Sequence, residues 1–265
     1  MKLALIYILC LCAVGLGQDV NEEKESSIRI LPVGNRPPYK EVLPPWQKPA
    51  DENGCLTLES PPFSIPPTKV WLKSAEEKEG EIDLRLNKVS ERVTFSGEKV
   101  ELLIKEGTRR DGESKTWTTI EVPKRGDYLL VLAKSLHGED SDWEEVRTFL
   151  LDDSSKDFPA GTVRFVNTTQ EVIAARISKS GRMPRKEQDQ GKAFAIKPDG
   201  IEMRTLPEKE PLVEFATKEK DGTWRMKRSH SLSPKEGERC NSIIYQGNGA
   251  KISVYPFKEN ILRKP

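Results

Sequence analysis

Short runs of alternating apolar and polar residues follow one another along the chain after about residue 68. Ile82, Leu84 and Leu86 alternate with charged residues, and Ile201 and Met203 show the same period of two. This period places apolar side chains on one face of a β-strand. Further runs predict strands at 70–73, 98–105, 116–122, 128–134, 146–151, 162–167, 172–177, 192–197, 212–217, 223–228, 239–246 and 251–255. Because no window has the periodicity of a long amphipathic helix, the pattern predicts an all-β protein.

The predicted strands fall into two groups, separated by the turn DDSSKDFPAG at residues 152–161. Short strands with Gly, Asp, Asn or Pro in almost every gap are typical of antiparallel sandwiches and barrels. We therefore expect two small antiparallel β-sandwich domains, Ig-like or open-barrel, at residues 68–153 and 160–258.

The two groups also resemble each other. LRLNKVSERV at 84–93 aligns with VRFVNTTQEV at 163–172, and Trp143 and Trp224 each follow a Gly-containing turn before a strand. The alignment favours a tandem duplication, although any two sandwiches made of strand, turn and strand align in a similar way. If the repeat holds, Trp143 and Trp224 occupy one structural position, each buried beneath its own sheet.

The chain begins with a predicted export signal. Lys2 precedes an apolar run, and Gly15 and Gly17 stand where signal peptidase requires small residues, so residues 1–17 read as a signal peptide. The run is short for a retained membrane anchor. Lipidation at Cys10 or Cys12 is disfavoured because a bulky leucine precedes each of them. We expect the mature protein to be exported, periplasmic or extracellular, with no membrane contact once the signal is removed.

Residues 18–67 form a proline-rich segment that contains ten of the 19 prolines. Each proline removes a backbone donor and fixes φ, which disfavours helices and central strands. We interpret this segment as an extended, semi-rigid leader. A proline-rich ligand for a partner is the alternative interpretation. Interspersed apolar residues such as Ile28, Ile30 and Trp46 indicate that parts of the leader lie against a domain.

Three segments, SSIRILPVGNRPPYKEVL, SIPPTKVWL and FPAGTVRFVNTTQEVIAARI, resemble segments of uncharacterised exported bacterial proteins. Those proteins pair a proline-rich leader with tandem β-domains. The resemblance implies architecture and location only. It carries no known activity and transfers no functional residue to this chain.

The overall charge narrows the possible classes of partner. Without the signal peptide the chain keeps 42 acidic and 42 basic residues, because only Lys2 is lost from the 43. These charges are spread evenly, which argues against a nucleic-acid surface.

Two cysteines, Cys55 and Cys240, remain after removal of the signal peptide. An exported protein permits a disulfide between them, but two isolated buried thiols fit the sequence equally well.

The sequence contains no recognisable catalytic motif: no GxSxG elbow, no HExxH and no phosphate-binding glycine loop. His137 and His230 have no local partner that would make either a general base. The acidic run at 139–145 could supply oxygen ligands for calcium but lacks EF-hand order, so a solvated hairpin tip is favoured. Asn167 in Asn-Thr-Thr fits either a glycosylation acceptor or a strand-end turn. We predict no catalytic residues, no cofactor and no metal ligands; the ligand-binding residues are unknown.

The tryptophans are the remaining candidates for a binding surface. Exposed aromatic rings on a sandwich can stack on sugars, whereas buried ones fill the core. The five are Trp46, Trp71, Trp117, Trp143 and Trp224. We therefore expect an exported, non-enzymatic structural or interaction protein with a protein or glycan partner. The alternatives are a glycan-binding sandwich module and a hydrolase that uses carboxylates remote in sequence.

Overall fold

The computed structural model describes residues 25–35, 40–42, 57–59, 63–74, 79–105, 114–134, 143–178, 191–207, 211–247 and 251–261. Regular structure in these segments is entirely β. The first strands are β1 (Ser26–Val33), β2 (Lys40–Val42), β3 (Thr57–Glu59), β4 (Lys69–Lys73), β5 (Glu79–Asp83), β6 (Val93–Phe95), β7 (Lys99–Lys105), β8 (Ser114–Glu121), β9 (Asp127–Lys134) and β10 (Val146–Asp152). They are followed by β11 (Thr162–Asn167), β12 (Ile173–Ser178), β13 (Phe194–Ile196), β14 (Ile201–Thr205), β15 (Leu212–Lys218), β16 (Trp224–Ser231), β17 (Glu238–Gln246) and β18 (Ile252–Asn260).

Two sandwiches contain sixteen of these strands. The first has sheets of order β10-β9-β1-β6 and β5-β4-β7-β8, and the second has β14-β11-β17-β18 and β13-β12-β15-β16. In the first sandwich β1 runs parallel to β9, and in the second β11 runs parallel to β17. All other strand pairs of the sandwiches are antiparallel. β2 and β3 form a separate two-stranded sheet. Strand by strand, the two sandwiches have the same topology.

The all-β class and the two-sandwich architecture are confirmed. Each sandwich encloses its own buried apolar cluster, built around Ile30, Val70 and Leu102 in the first and around Phe165 and Phe215 in the second. The strand order differs from the immunoglobulin arrangement, since β1 lies between β6 and β9, and β11 lies between β14 and β17. Among the described segments no helix is long and apolar enough to cross a membrane.

The expected leader contains the central strand of the first sandwich. β1 pairs with β9 over seven residues and with β6 at its start, so the first domain begins well before residue 68. Pro32 is tolerated because β6 pairs only with the first three residues of β1. Further along, the loop after β5 takes its place, and Asn87 N–H donates to the Pro32 carbonyl at 2.8 Å. The missing proline N–H therefore faces a loop rather than a strand ladder.

The predicted shared topology is correct, but the predicted residue equivalences are wrong. β11 corresponds to β1, so the VRFV run at 163–166 matches IRIL at 28–31 rather than residues 84–93. Trp143 precedes β10, whereas Trp224 lies in β16, the counterpart of β8. Trp143 is 1% exposed and Trp224 is 49% exposed. The error arose because non-equivalent hairpins share the same strand, turn and strand pattern.

The two sandwiches pack against each other through equivalent sheets. A third buried cluster joins Leu31, Val131 and Phe149 of the first sandwich to Val166 and Ile243 of the second. Leu31 and Val166 lie at corresponding positions of β1 and β11, and Val131 and Ile243 at corresponding positions of β9 and β17. We call this interdomain contact the seam.

Candidate functional site

A largely buried group of charged side chains crosses the seam. Its members are three arginines and two carboxylates, Arg29, Arg164, Arg239, Asp153 and Glu259. Asp153 Oδ2 pairs with Arg29, and Asp153 Oδ1 lies 2.8 Å from Arg239 and 3.3 Å from Arg164. Glu259 lies 2.5 Å from Arg29 and 3.1 Å from Arg239. We call these five residues the seam cluster.

The seam cluster follows the internal symmetry of the molecule. Arg29 and Arg164 occupy the same position in β1 and β11. Asp153 follows the last residue of β10, and Glu259 stands at the matching position of β18. Each arginine pairs with the carboxylate supplied by the opposite sandwich, and Arg29 and Arg239 also pair with the carboxylate of their own sandwich.

The linker between the sandwiches wraps around the excess positive charge. The Phe158 ring contacts two guanidinium groups, with its centroid 4.1 Å from that of Arg164 and 4.6 Å from that of Arg239. Arg239 also donates to the carbonyls of Asp153 and Phe158, both at 3.0 Å. Cation–π contacts and backbone carbonyls thus help to stabilise the one positive charge by which three arginines exceed two carboxylates.

Burial and ion pairing shift the pKa values of two members of the cluster, Arg164 and Glu259. Burial lowers the pKa of Arg164 to about 10, although Asp153 acts in the opposite direction. Burial alone would raise the pKa of Glu259, but Arg29 and Arg239 outweigh it and hold that pKa below its ordinary value. Both carboxylates use both oxygens in ion pairs. Each carboxylate thus joins arginines of both sandwiches, so the cluster holds the two domains together.

A second feature is an open apolar surface on the outer sheet of the second sandwich. Strand register aligns one residue from each of four strands in a row: Ala195, Ala174, Ala216 and Met226. Their neighbours along the strands point into the core, so these side chains face outward. Met226 is 50% and Trp224 49% exposed, and Val172 lies beside them at 42%. We call the surface formed by these six residues the shelf.

The corresponding face of the first sandwich is filled. The equivalent row is Glu81, Trp71, Leu103 and Thr116. Trp71 stands where the shelf has Ala174, and the Lys105 ammonium lies 4.6 Å from the Trp71 ring centroid. Leu103, directly opposite Trp71, is only 5% exposed although it lies outside the sandwich core. In the first sandwich an indole therefore covers this surface, whereas the second sandwich leaves the equivalent surface open.

The equivalence of these rows is supported by a shared irregularity. The β7–β8 ladder shifts register between Leu102 and Leu103, and the β15–β16 ladder shifts between Phe215 and Ala216. In each case the shift separates a core residue from the next outward-facing one. Leu103 therefore matches Ala216.

The predicted tryptophan sites divide between core and surface. Trp143 is buried in the first core, and Trp117 donates its indole N–H to the Trp143 carbonyl at 2.9 Å. Trp71 is half-buried, and Trp224 is exposed on the shelf. Trp46 lies outside the described residues, as do His137, Cys55 and the acidic residues 139–142.

His230 is a half-buried residue of the second sandwich. Its ring stacks on Phe215 with centroids 5.4 Å apart, and burial lowers its pKa to about 4. Its Nε2 lies 3.3 Å from the Ser242 hydroxyl. Ser242 is fully buried, and within the described residues no carboxylate bonds to His230. This pair therefore lacks both substrate access and an orienting acid.

Asn167 serves as a strand-end turn residue. It is fully buried, and its amide donates to the carbonyls of Glu171 at 2.8 Å and Lys197 at 2.9 Å. Its oxygen accepts from the Thr169 N–H and hydroxyl at 3.0 and 2.8 Å. The folded protein therefore does not present this amide for glycosylation.

The remaining chemical candidates show no reactive arrangement. Cys240 is buried in the second core, and burial raises the pKa of its thiol to about 11. Because Cys55 lies outside the described residues, both alternatives, a disulfide and two isolated thiols, stay as the sequence left them. In the described part of the chain, no three His, Cys, Asp or Glu side chains come together as metal ligands would. A cleft of about 330 Å³ beside β5 and β6 is lined by charges of both signs, including Asp83, Arg85 and Glu91.

Sequence reasoning missed the seam cluster. One signal was present, because IRIL and VRFV each carry an arginine inside an otherwise apolar run. A charged residue at such a position is buried only when it is paired. The carboxylate partners, however, are distant in sequence from Arg29, and no local sequence pattern marks them.

No family model and no curated protein matches this chain. Among solved structures, it is similar to the Bacillus anthracis TIE protein at 11% identity with a TM-score of 0.25, covering 89% of this chain and 43% of that one. It is also similar to a proposed cell adhesion protein of Bacteroides fragilis at 11% identity with a TM-score of 0.21, covering 91% and 99%. The chain thus spans less than half of the first protein. At these scores neither similarity establishes a shared function.

Proposed function

We propose that this chain is an exported, non-enzymatic structural or interaction protein whose two sandwiches act as one rigid unit. The observation that carries the proposal is the seam. Equivalent sheets share a continuous apolar cluster there, and buried ion pairs join the linker to both domains. Independent domains would leave such a surface in water.

The chemistry of the seam supports rigidity rather than motion. Asp153 has no exposed side-chain surface, and the side chains of Arg164 and Arg239 are 3% and 4% exposed. Separating the sandwiches would expose this apolar surface and break charge-assisted hydrogen bonds together. A protein built in this way holds its outer faces at fixed spacing, which suits a scaffold or an adaptor.

The proposal is tested by two measurements on the mature protein. Small-angle scattering should give one compact two-domain envelope that is unchanged between low and moderate salt, because the seam cluster is buried from screening ions. Activity profiling against glycosidic, ester and peptide substrates should give no turnover. Turnover abolished by a single point substitution would reject the non-enzymatic assignment, and an ensemble of domain orientations would reject rigidity.

Export is tested separately on the full chain. Fractionation of producing cells should recover a protein shortened at its N-terminus after Gly17 outside the cytoplasm. Replacing two leucines of the apolar run by aspartate should retain the full-length chain inside. Full-length chain in the cytoplasm with the native sequence would contradict this part of the proposal.

Glycan binding is the second candidate, and the exposed Trp224 supports it. A half-exposed indole on a flat sheet face offers a stacking platform. Trp224→Phe and Trp224→Ala variants should then progressively weaken retention on polysaccharide gels. Equal migration of both variants and the native protein across a broad polysaccharide panel would remove this candidate.

A further inference from the structure

We propose that the shelf of the second sandwich receives an aromatic side chain carried by an acidic segment of a partner protein. This inference rests on the proposed interaction function and names the chemistry of the partner. Its argument comes from the first sandwich, which fills the equivalent surface with a ring of its own.

The first sandwich shows what this surface holds. Trp71 occupies the middle of the outer row, opposite Leu103, and Lys105 places its ammonium 4.6 Å from the indole centroid. A cation at this distance over a ring face is attracted by the ring quadrupole. The outward face at this position therefore accommodates a flat ring beneath a lysine.

The second sandwich keeps the surroundings and omits the ring. Ala174 replaces Trp71, and Ala216 replaces Leu103, which leaves a floor of small side chains. Lys218 stands at the position of Lys105, directly opposite Trp224 in the ladder. Trp224 and Met226 form a wall along the outer edge strand, where tryptophan and methionine are typical of protein interfaces.

The charges around the shelf select an acidic partner. Lys218 and Lys197 are both exposed, and neither is engaged in an ion pair within the described part of the chain. On the same face, Glu214 is already paired with Arg176 at 2.7 Å. Glu171 and Asp221, in the adjoining turns, are also exposed and outside any described ion pair, but Lys220 and Arg225 beside them offset these two charges. The net charge at this end of the shelf is therefore positive. An aromatic ring is favoured over a sugar because the lysine at the position of Lys105 gains from a π face.

The test uses defined peptides and the mature full chain labelled with ¹⁵N. Titration with Ac-Glu-Asp-Phe-Asp-Glu-NH₂ should give saturable shifts of the Trp224 indole N–H and of the Ala174 and Ala216 amides. The same peptide with alanine in place of phenylalanine should bind at least tenfold more weakly, and so should a peptide with lysines in place of its acidic residues. Equal shifts with all three peptides would overturn the proposal.

The shelf-filling variant Ala174→Trp copies the first sandwich and should remain folded. It should weaken binding of the phenylalanine peptide at least tenfold. The matched control Thr119→Trp adds the same side chain to the outer face of the first sandwich and should bind as the native chain does. Unchanged binding by Ala174→Trp, or equal loss in both variants, would overturn the proposal.

A second variant keeps the test decisive if Ala174→Trp does not fold. Lys218→Glu changes an exposed side chain and should weaken binding at least fivefold. Unchanged affinity in this variant would overturn the role of the lysine and with it the proposal.

Oligoalginate, an acidic glycan without aromatic rings, should give no shift at Trp224. A saturable shift with it would overturn the peptide assignment in favour of a glycan, while turnover in the activity screen would reject the proposed function instead.

Discussion

The two sandwiches agree at the seam and differ on their outer faces. At the seam, Arg29 and Arg164 occupy one position, and Asp153 and Glu259 occupy another. On the outer sheets, by contrast, Trp71 in the first sandwich is replaced by Ala174 in the second. One backbone therefore serves two purposes. Matched residues hold the domains together, and unmatched residues give each domain its own surface.

The largest expected effect tests the matched region. Asp153→Asn keeps the shape of the side chain but leaves two buried arginines and the partly buried Arg29 with one carboxylate. Breaking a buried pair in this way should lower the free energy of unfolding by about 3–5 kcal/mol, as measured by urea denaturation. The control Glu219→Gln, which breaks the exposed pair with Lys227, should cost about 0–1 kcal/mol. Equal effects would mean that the ion pairs of the seam cluster add no more stability than an exposed pair.

The next effect tests the unmatched region. Trp71→Ala should cost about 2–3 kcal/mol, because a half-buried indole that covers Leu103 is lost. Trp224→Ala should change the unfolding free energy by no more than about 0.5 kcal/mol, because its ring covers no core residue. Guanidinium denaturation of both variants provides the measurement. A larger loss in Trp224→Ala would show that the shelf is structural.

A third difference concerns pH. His230 opposes Val213 in the second sandwich, whereas Ile120 opposes Val100 at the matching place in the first. Burial lowers the pKa of His230 from 6.5 to about 4, so the unfolded chain binds its proton first and stability falls as pH drops between these values. Between pH 7.5 and pH 5.0 this residue should remove about 2 kcal/mol.

The matched variant for this test is His230→Ile, which copies the first sandwich. It should show about 2 kcal/mol less loss of unfolding free energy between pH 7.5 and pH 5.0 than the native chain, in denaturant titrations at both values. The same pH dependence in the variant would assign the acid sensitivity to other groups.

The smallest effect compares two turns. Asn87 and Asp199 both adopt positive φ, of 57° and 56°, in the loop before the fourth strand of their sandwich. Asn87 also bonds twice to the Gly34 backbone, at 2.9 and 3.1 Å. Asn87→Gly should therefore cost about 1 kcal/mol in thermal unfolding, because the lost bonds outweigh the relieved strain. Asp199→Gly, with an exposed ion pair only, should cost no more than about 0.5 kcal/mol.

The alternation of apolar residues was sufficient to predict the fold class and most strands. It succeeded because residues such as Val70, Leu72 and Ile82 lie on sheets with one face buried. It failed at β1, where Pro32 made a central strand read as an extended leader. Tertiary context overrode the local signal there, because a loop replaces the neighbouring strand at that point.

The two sites depend on information that a local pattern does not contain. The seam cluster joins residues as far apart as Arg29 and Glu259. The shelf consists of ordinary strand residues, and its openness becomes visible only when Ala174 is compared with Trp71 across the correct equivalence. An alignment of the two sequence halves on the correct hairpins would pair Ala174 with Trp71. The sequence similarity instead favours the hairpins that pair Trp143 with Trp224.

The position of β1 also affects how the chain reaches its folded state. Ser27 bonds to Asp127, which is 100 residues further along the chain. Folding slows as contacts join more distant residues, because the entropy of closing a long loop precedes any gain from the contact. The first sandwich cannot complete its central sheet until β9 has left the ribosome. A nascent chain therefore lacks the β1–β9 ladder, and with it the first sandwich's half of the seam, until residue 134 has been synthesised.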